Sequence, residues 1–128
     1  MLNSALIAQI NTGIGAHGAW KMRLRTAINT GIGDISVADA SHEALCAFGK
    51  WLTGPDIPAP VRNGLPYQVV RRLHAEFHKL AGQVLAEALR GNKQQAQALM
   101  DGPYTAASDK LTRALTKWKN EIARALAA

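Results

Sequence analysis

The chain of 128 residues is long enough to form one domain with a hydrophobic core, and it carries a formal charge of +6. Only 5% of its residues are aromatic, while alanine and leucine dominate the apolar set, which favours helices over strands. No run of about 18 apolar residues is present and the N-terminus lacks the basic start of a signal peptide, so the sequence predicts neither a transmembrane helix nor a membrane partner. The single cysteine excludes an internal disulfide framework and fits a cytoplasmic location.

Apolar residues at steps of three and four predict a long amphipathic first helix over residues 4–28. The stripe includes Ile10 and Trp20, and His17 falls in the same series. GIGAHG at 13–18 matches the G-x-G-x-x-G pattern of dinucleotide-binding folds, but that fingerprint requires a preceding strand and a βαβ unit. Neither is indicated, so we interpret this segment as part of the helix.

The middle of the chain predicts a loop over 29–39 and a second helix over about 40–53, with Asp39 or Ser41 as its N-cap. The inward face of this helix is expected to consist of Leu45, Cys46, Gly49 and Leu52. Residues 54–65 hold three of the five prolines and two glycines, which predicts an irregular connection.

A third long helix is predicted from Pro66 to about Arg90, where Gly91 ends it. Two adjoining apolar stripes on this helix indicate packing against more than one neighbour, and one stripe contains His74 and His78.

The C-terminal part predicts a short helix over 93–100, a break at Gly102-Pro103 and a last helix over 104–126. A stripe close to a heptad pattern, as antiparallel bundles use, is formed by Tyr104, Ser108, Leu111, Leu115, Trp118 and Ile122. The elements together predict an all-α fold, an antiparallel four-helix bundle with an extra short helix, in a single domain over residues 1–128.

The only cysteine and three of the four histidines fall on inward stripes of the predicted helices: His17, Cys46, His74 and His78. His74 and His78 stand four residues apart, which places two imidazoles on one helix face. Three imidazoles and one thiolate suit tetrahedral zinc in the bundle core. The alternative is that these are separate core residues, histidines satisfied by hydrogen bonds and an inert buried cysteine. His42, one helical turn before Cys46, is a competing ligand.

No enzymatic site emerges from these residues. Zinc proteases use HExxH, in which glutamate follows the first histidine, but here Ala75 stands at that position. Di-iron bundles need Glu-x-x-His pairs, and the sequence contains none. Four protein ligands would also leave zinc no open position for water, so we do not expect an enzyme.

Three short motifs occur in order along the chain, AHGAWKMRL at 16–24, CAFGKWL at 46–52 and LHAEFH at 73–78. They resemble the H-x-x-W-K opening, the Cys-x-(apolar)-Gly-x-Trp-Leu signature and the closing His-x-x-x-His of bacterial chemoreceptor zinc-binding (CZB) domains. Order and spacing agree over roughly residues 5–120. Phe48 stands where leucine is frequent in the family, a departure that touches no ligand.

The resemblance implies a helical bundle that holds one Zn²⁺ through His17, Cys46, His74 and His78. It also implies a regulatory module that senses zinc or an oxidant such as hypochlorous acid at a zinc-thiolate centre. The family usually accompanies chemoreceptor signalling domains or diguanylate cyclases and forms homodimers. We therefore expect a signalling domain or partner protein, with the stripe of the last helix either as the dimer surface or as part of the chain's own core.

Two other functions stay open from the sequence. A purely structural, zinc-stabilised dimerisation module would share the ligands but would not respond to a signal. A basic helical nucleic-acid binder is less expected, because the densest basic group lacks aromatic stacking residues and a recognition motif. That group consists of Lys110, Arg113, Lys117, Lys119 and Arg124.

Overall fold

The computed structural model describes the backbone of residues 2–127 and the side chains of residues 3–124. In chain order the elements are α1 (Leu2–Thr30), α2 (Val37–Ser41), a 3-10 turn (Glu43–Leu45), α3 (Ala47–Thr53), α4 (Ala59–Arg62), α5 (Leu65–Leu89), α6 (Lys93–Leu99), a π-helical segment (Met100–Tyr104) and α7 (Thr105–Ala127). Every regular element in the described range is helical, which confirms the all-α prediction. None of these helices is long and apolar enough to cross a membrane. The detail of an antiparallel four-helix bundle in one domain stays a prediction.

Helix α5 is the element around which the others pack, since it contacts α1, α2, α6 and α7. Both predicted apolar stripes of α5 are buried, one through Val70 and Phe77 and the other through His74, His78 and Leu85. Packing on several neighbours explains why the apolar arc of this helix is wider than one stripe.

Helix α1 runs without interruption through the GIGAHG segment, so the dinucleotide-binding pattern there is accidental, as expected. Ile10, His17, Trp20 and Leu24 are buried along its inner face. The apolar stripe thus overrides the weak helix propensity of three glycines, because burial against α5 and α7 outweighs a cost of about 1 kcal/mol per glycine.

The stripe of α7 packs inside the chain's own core. Tyr104, Leu111, Leu115 and Trp118 are each at most 3% exposed. These side chains face α1 and α5, with which α7 is in contact. A homodimer, which stays a prediction, would therefore need a different surface.

The predicted continuous helix over 40–53 is wrong. The segment consists of α2, the 3-10 turn and α3, and its first N-cap is Ser36, whose hydroxyl accepts a hydrogen bond from Asp39 N at 3.1 Å. Cys46 is extended, with φ −77° and ψ 155°, and separates the turn from α3. A serine hydroxyl and a cysteine sulfur thus satisfy backbone N–H groups that a continuous helix would have used.

Two other boundaries differ from expectation. The connection over 54–65 contains the short helix α4. The helix does not end at Gly102-Pro103 as expected. A wider π-helical turn accommodates the proline there and joins α6 directly to α7. The Thr105 hydroxyl donates to the Met100 carbonyl at 2.7 Å, which satisfies an acceptor in this turn.

Candidate metal centre

The structure brings all four predicted ligands together from three separate parts of the chain. His17 comes from the middle of α1, Cys46 from the N-cap of α3, and His74 and His78 from α5. The ligand atoms all lie within 4.8 Å of one another. The histidines are at most 4% exposed and the cysteine is half-buried. His42 is exposed and lies outside this cluster.

Distances between the donor atoms fit a tetrahedral ion. His17 Nε2 lies 3.4 Å from His78 Nε2, and Cys46 Sγ lies 3.3 Å from His74 Nε2. Zinc bonds of about 2.0–2.1 Å to nitrogen and about 2.3 Å to sulfur give tetrahedral edges of roughly 3.3–3.6 Å. These two donor pairs therefore already stand at the spacing that one ion between them requires, while the set of four lies within 4.8 Å.

Backbone carbonyls orient two of the three imidazoles. His17 Nδ1 donates to Gly13 O at 2.7 Å, and His78 Nδ1 donates to Ala40 O at 3.0 Å. These bonds assign the proton to Nδ1, so the lone pairs of both Nε2 atoms face each other. Two facing lone pairs at this distance repel unless a cation lies between them. Such carbonyl contacts are typical of the residues around a metal site.

His74 differs from the other two histidines because its outer nitrogen has no partner. Within the described residues, His74 Nδ1 is buried without a hydrogen bond. Its ring is held by packing instead, at 5.2 Å from the ring of Phe48 and 4.6 Å from that of His78 between centroids. This difference between His74 and His78 could not be predicted from their positions in the sequence.

Cys46 owes its position to the start of a helix. Gly49 N donates to Cys46 Sγ at 3.2 Å, so the sulfur is the side-chain cap of α3. A Cβ at Gly49 would overlap the carbonyl oxygen of Glu43, so only glycine lets the 3-10 turn fold back this closely. The expected inward helix face is therefore wrong, because Cys46 lies inward as a cap outside the helix and Leu45 is exposed. The Cys-x-x-Gly spacing was the signal for a cap.

Burial keeps the three histidines neutral near neutral pH. Loss of solvation lowers the pKa of His17 to about 4, against the opposing effect of its hydrogen bond to Gly13. Burial, together with the neighbouring imidazoles, lowers the pKa of His74 to about 2. Burial also lowers the pKa of His78. Neutral imidazoles are the form that binds a metal ion.

For Cys46, burial without a cation favours the protonated thiol, which is not the form that binds a metal ion. Burial raises the pKa of the Cys46 thiol, partly offset by hydrogen bonds from Gly49 and Phe48. A bound divalent cation reverses this effect and deprotonates a coordinating thiol. The donor set thus fits zinc: three neutral imidazoles and one sulfur that becomes a thiolate when the ion binds.

Several residues whose contacts with the ligands could not be predicted from the sequence complete the site. Phe77 packs edge-on against His17 at 5.0 Å between ring centroids, and Trp20 packs against His78 at 5.8 Å. A Cβ at Gly82 would overlap Ser41, so this glycine lets α2 approach α5 closely enough for the Ala40 carbonyl to reach His78. Gly82 is the one glycine of α5, and its role could not be recognised without the position of α2.

The fold and the site together define a helical metal-binding protein. A family model described as the chemoreceptor zinc-binding domain, CZB, matches residues 17–85, more than half of the chain. The chain therefore belongs to the CZB family, and its cofactor is zinc. CZB is a regulatory zinc-binding domain that typically occurs in signalling proteins, and it is not a known catalytic family. Comparisons with curated proteins and with solved structures found no match.

Proposed function

We propose that this chain is a regulatory module that holds one Zn²⁺ through His17, Cys46, His74 and His78. The observation that carries the proposal is the convergence of these four donor atoms within 4.8 Å, with three of the four side chains buried. The resident ion would keep the sulfur of Cys46 as a thiolate at neutral pH. The whole of residues 1–128 would act as one domain, in the reducing cytoplasm.

Metal analysis of the purified chain tests the ligand assignment. We expect about one zinc per chain, lost in Cys46→Ala and retained in His42→Ala, since His42 is the histidine outside the cluster. Helix content by circular dichroism would show that both variants fold. Protein never exposed to chelator that contains no zinc would overturn the assignment, and so would equal zinc loss in both variants.

The sensory step that we propose takes place at Cys46, the least buried of the four ligands. Its thiolate sulfur attacks the chlorine of hypochlorous acid, so that the Cl–O bond breaks and hydroxide leaves. Water then displaces chloride from the sulfur and loses a proton, which gives a sulfenic acid. The oxidised sulfur is a poorer ligand and a poorer acceptor for the Gly49 N–H group. Oxidation would therefore weaken the metal centre and the start of α3 together.

The ring of Trp51 provides a route from α3 to the last helix. Its centroid lies 6.0 Å from that of Trp118 on α7, and 5.5 Å from that of Phe48 beside the metal centre. A shift of α3 would thus disturb a contact with α7. We propose that a signalling domain or partner protein, in a homodimeric assembly, receives this change.

A purely structural zinc module is the alternative, and the separation of the ligands along the chain favours it. One ion would join α1, the start of α3 and α5, which are otherwise distant in sequence. Treatment of zinc-loaded protein with stoichiometric hypochlorous acid separates the two functions. Zinc release with loss of α3 supports the sensor, whereas unchanged zinc and helix content, with methionine intact, supports the structural module.

A further inference from the structure

An open cleft of about 530 Å³ lies beside the segment that carries Cys46. None of the four proposed metal ligands lines it. One wall comes from residues 36–53, the Cys46 segment, through Glu43, and from the connection that follows it, through Arg62. The other wall is α5, through Tyr67, Gln68, Arg71, Arg72 and Ala75. The polar and small residues among them, at 68, 71, 72 and 75, stand at positions i, i+3, i+4 and i+7. They therefore share one face of α5, which lines the cleft.

Positive charge is in excess in this cleft. Three guanidinium groups face one carboxylate, that of Glu43. The ion pairs of the described side chains are Arg23–Asp34 and Arg90–Glu87, which leaves Arg71 and Arg72 without a carboxylate partner. Like charges at neighbouring positions repel, and a bound anion would offset that repulsion.

Arg62 is held in place before any ligand arrives. Its Nε donates to Ile57 O at 2.8 Å, and its Nη2 donates to the carbonyl oxygen of Gly54. The side chain is only partly exposed. Its Nη1 has no partner within the described residues, so it remains available to an anion. Donors fixed in advance lose little conformational freedom on binding, which favours affinity.

We propose that this cleft binds a small anion that carries phosphate groups. A tetrahedral phosphate presents three oxygens, which accept hydrogen bonds from several guanidinium groups at once, whereas a carboxylate accommodates one planar fork. The Tyr67 hydroxyl already donates to Leu52 O at 2.8 Å, so its ring forms a wall, and the amide of Gln68 adds a donor. The volume lies in the range of about 300–1,000 Å³ that small-ligand sites occupy.

Isothermal titration of the zinc-loaded full chain with pyrophosphate, at low chloride, tests the proposal. We expect saturable binding of one pyrophosphate per chain. Arg71→Gln and Arg72→Gln should each weaken it by at least about tenfold, because each removes a charged hydrogen-bond donor. Arg25→Gln is the matched control, since Arg25 is an exposed arginine on α1 that does not line the cleft. Circular dichroism establishes that each variant is folded.

Two further titrants define the ligand class. Adenosine diphosphate bound more tightly than pyrophosphate assigns the cleft to a nucleotide, and the reverse order assigns it to a free polyphosphate. Citrate bound as tightly as either would overturn the phosphate assignment. Absence of saturable binding by both phosphate compounds, or an equal loss in Arg25→Gln, would overturn the site. Zinc content of the same samples tests the metal centre separately, so either proposal can fail without the other.

Discussion

Gly49 determines how closely the Cys46 segment approaches the histidines. Its lack of a side chain leaves room for the Glu43 carbonyl, and its N–H group donates a hydrogen bond to the Cys46 sulfur. Gly15 offers a contrast, because a Cβ there would meet no neighbouring atom. The two glycines therefore have opposite consequences when replaced by alanine.

We expect Gly49→Ala to destabilise the fold by about 1–3 kcal/mol, as overpacking typically does, and to reduce zinc content. Gly15→Ala should instead stabilise α1 by up to about 1 kcal/mol, since alanine has the higher helix propensity. Urea unfolding and zinc analysis of both variants provide the measurement. Full zinc occupancy and unchanged stability in Gly49→Ala would show that the turn does not need this close approach.

The two tyrosines of the core make a second contrast between residues. The hydroxyl of Tyr67 donates to Leu52 O at 2.8 Å, whereas that of Tyr104 is buried without a hydrogen-bond partner in the described part of the chain. Burying an unpaired hydroxyl is unfavourable. Tyr67→Phe should therefore cost about 0.5–1.5 kcal/mol, and Tyr104→Phe should be neutral or stabilising.

The midpoint of urea unfolding measures both changes. Each variant serves as the control for the other, because both remove one oxygen from a tyrosine that is at most 4% exposed. A loss of stability in Tyr104→Phe as large as that in Tyr67→Phe would mean that the Tyr104 hydroxyl has a partner after all.

At the scale of the elements, we expect α3 to depend most on the metal centre. It has seven residues, fewer than an isolated helix needs to be stable in water, and its cap is a proposed ligand. We expect chelation of zinc to speed amide hydrogen exchange in Ala47–Thr53 by a large factor. Exchange in the buried middle of α5 should change much less. Uniform acceleration across both helices would indicate global unfolding rather than local release of α3.

The long helices could be predicted from the sequence because their buried residues recur at steps of three and four, the period of an α-helix. The stripe through Ile10, His17 and Trp20 and the stripes of α5 lie inward as expected. The segment over 36–53 could not be predicted in the same way, since its conformation depends on contacts between distant residues. Gly82 admits Ser41, and the Glu43 carbonyl fills the space at Gly49. The candidate ligands were visible in the motifs, whereas the Cys-x-x-Gly spacing was the only local sign that Cys46 caps α3.

The cleft lined by Arg62, Arg71 and Arg72 could not be predicted from the sequence either. Arg71 and Arg72 belong to no motif in the sequence, and Arg62 lies in a connection expected to be irregular. Only folding of the Cys46 segment onto α5 brings Glu43 and Arg62 opposite that face. A functional surface assembled from a helix and a loop has no period that a sequence pattern can reveal.

For the whole molecule, the buried histidines couple stability to pH. In metal-depleted protein, burial lowers the pKa of His17 to about 4, while in the unfolded chain it stays near 6.5. Between these values the unfolded state binds more protons, so stability falls as the pH drops from about 6.5 towards 4. The slope is roughly 1.4 kcal/mol per pH unit for each such histidine.

We therefore expect the chelated chain to be several kcal/mol less stable at pH 5 than at pH 7.5, by urea unfolding. His42→Ala should retain this dependence, because His42 is exposed, whereas His17→Gln should reduce its slope. Zinc-loaded protein should be more stable at pH 7.5 and lose that advantage in acid, since protons compete with the ion for the same nitrogens and sulfur. An unchanged slope in His17→Gln would mean that His17 is not held neutral in the core, and the arrangement of Nδ1 on Gly13 O and Nε2 towards His78 would then be wrong.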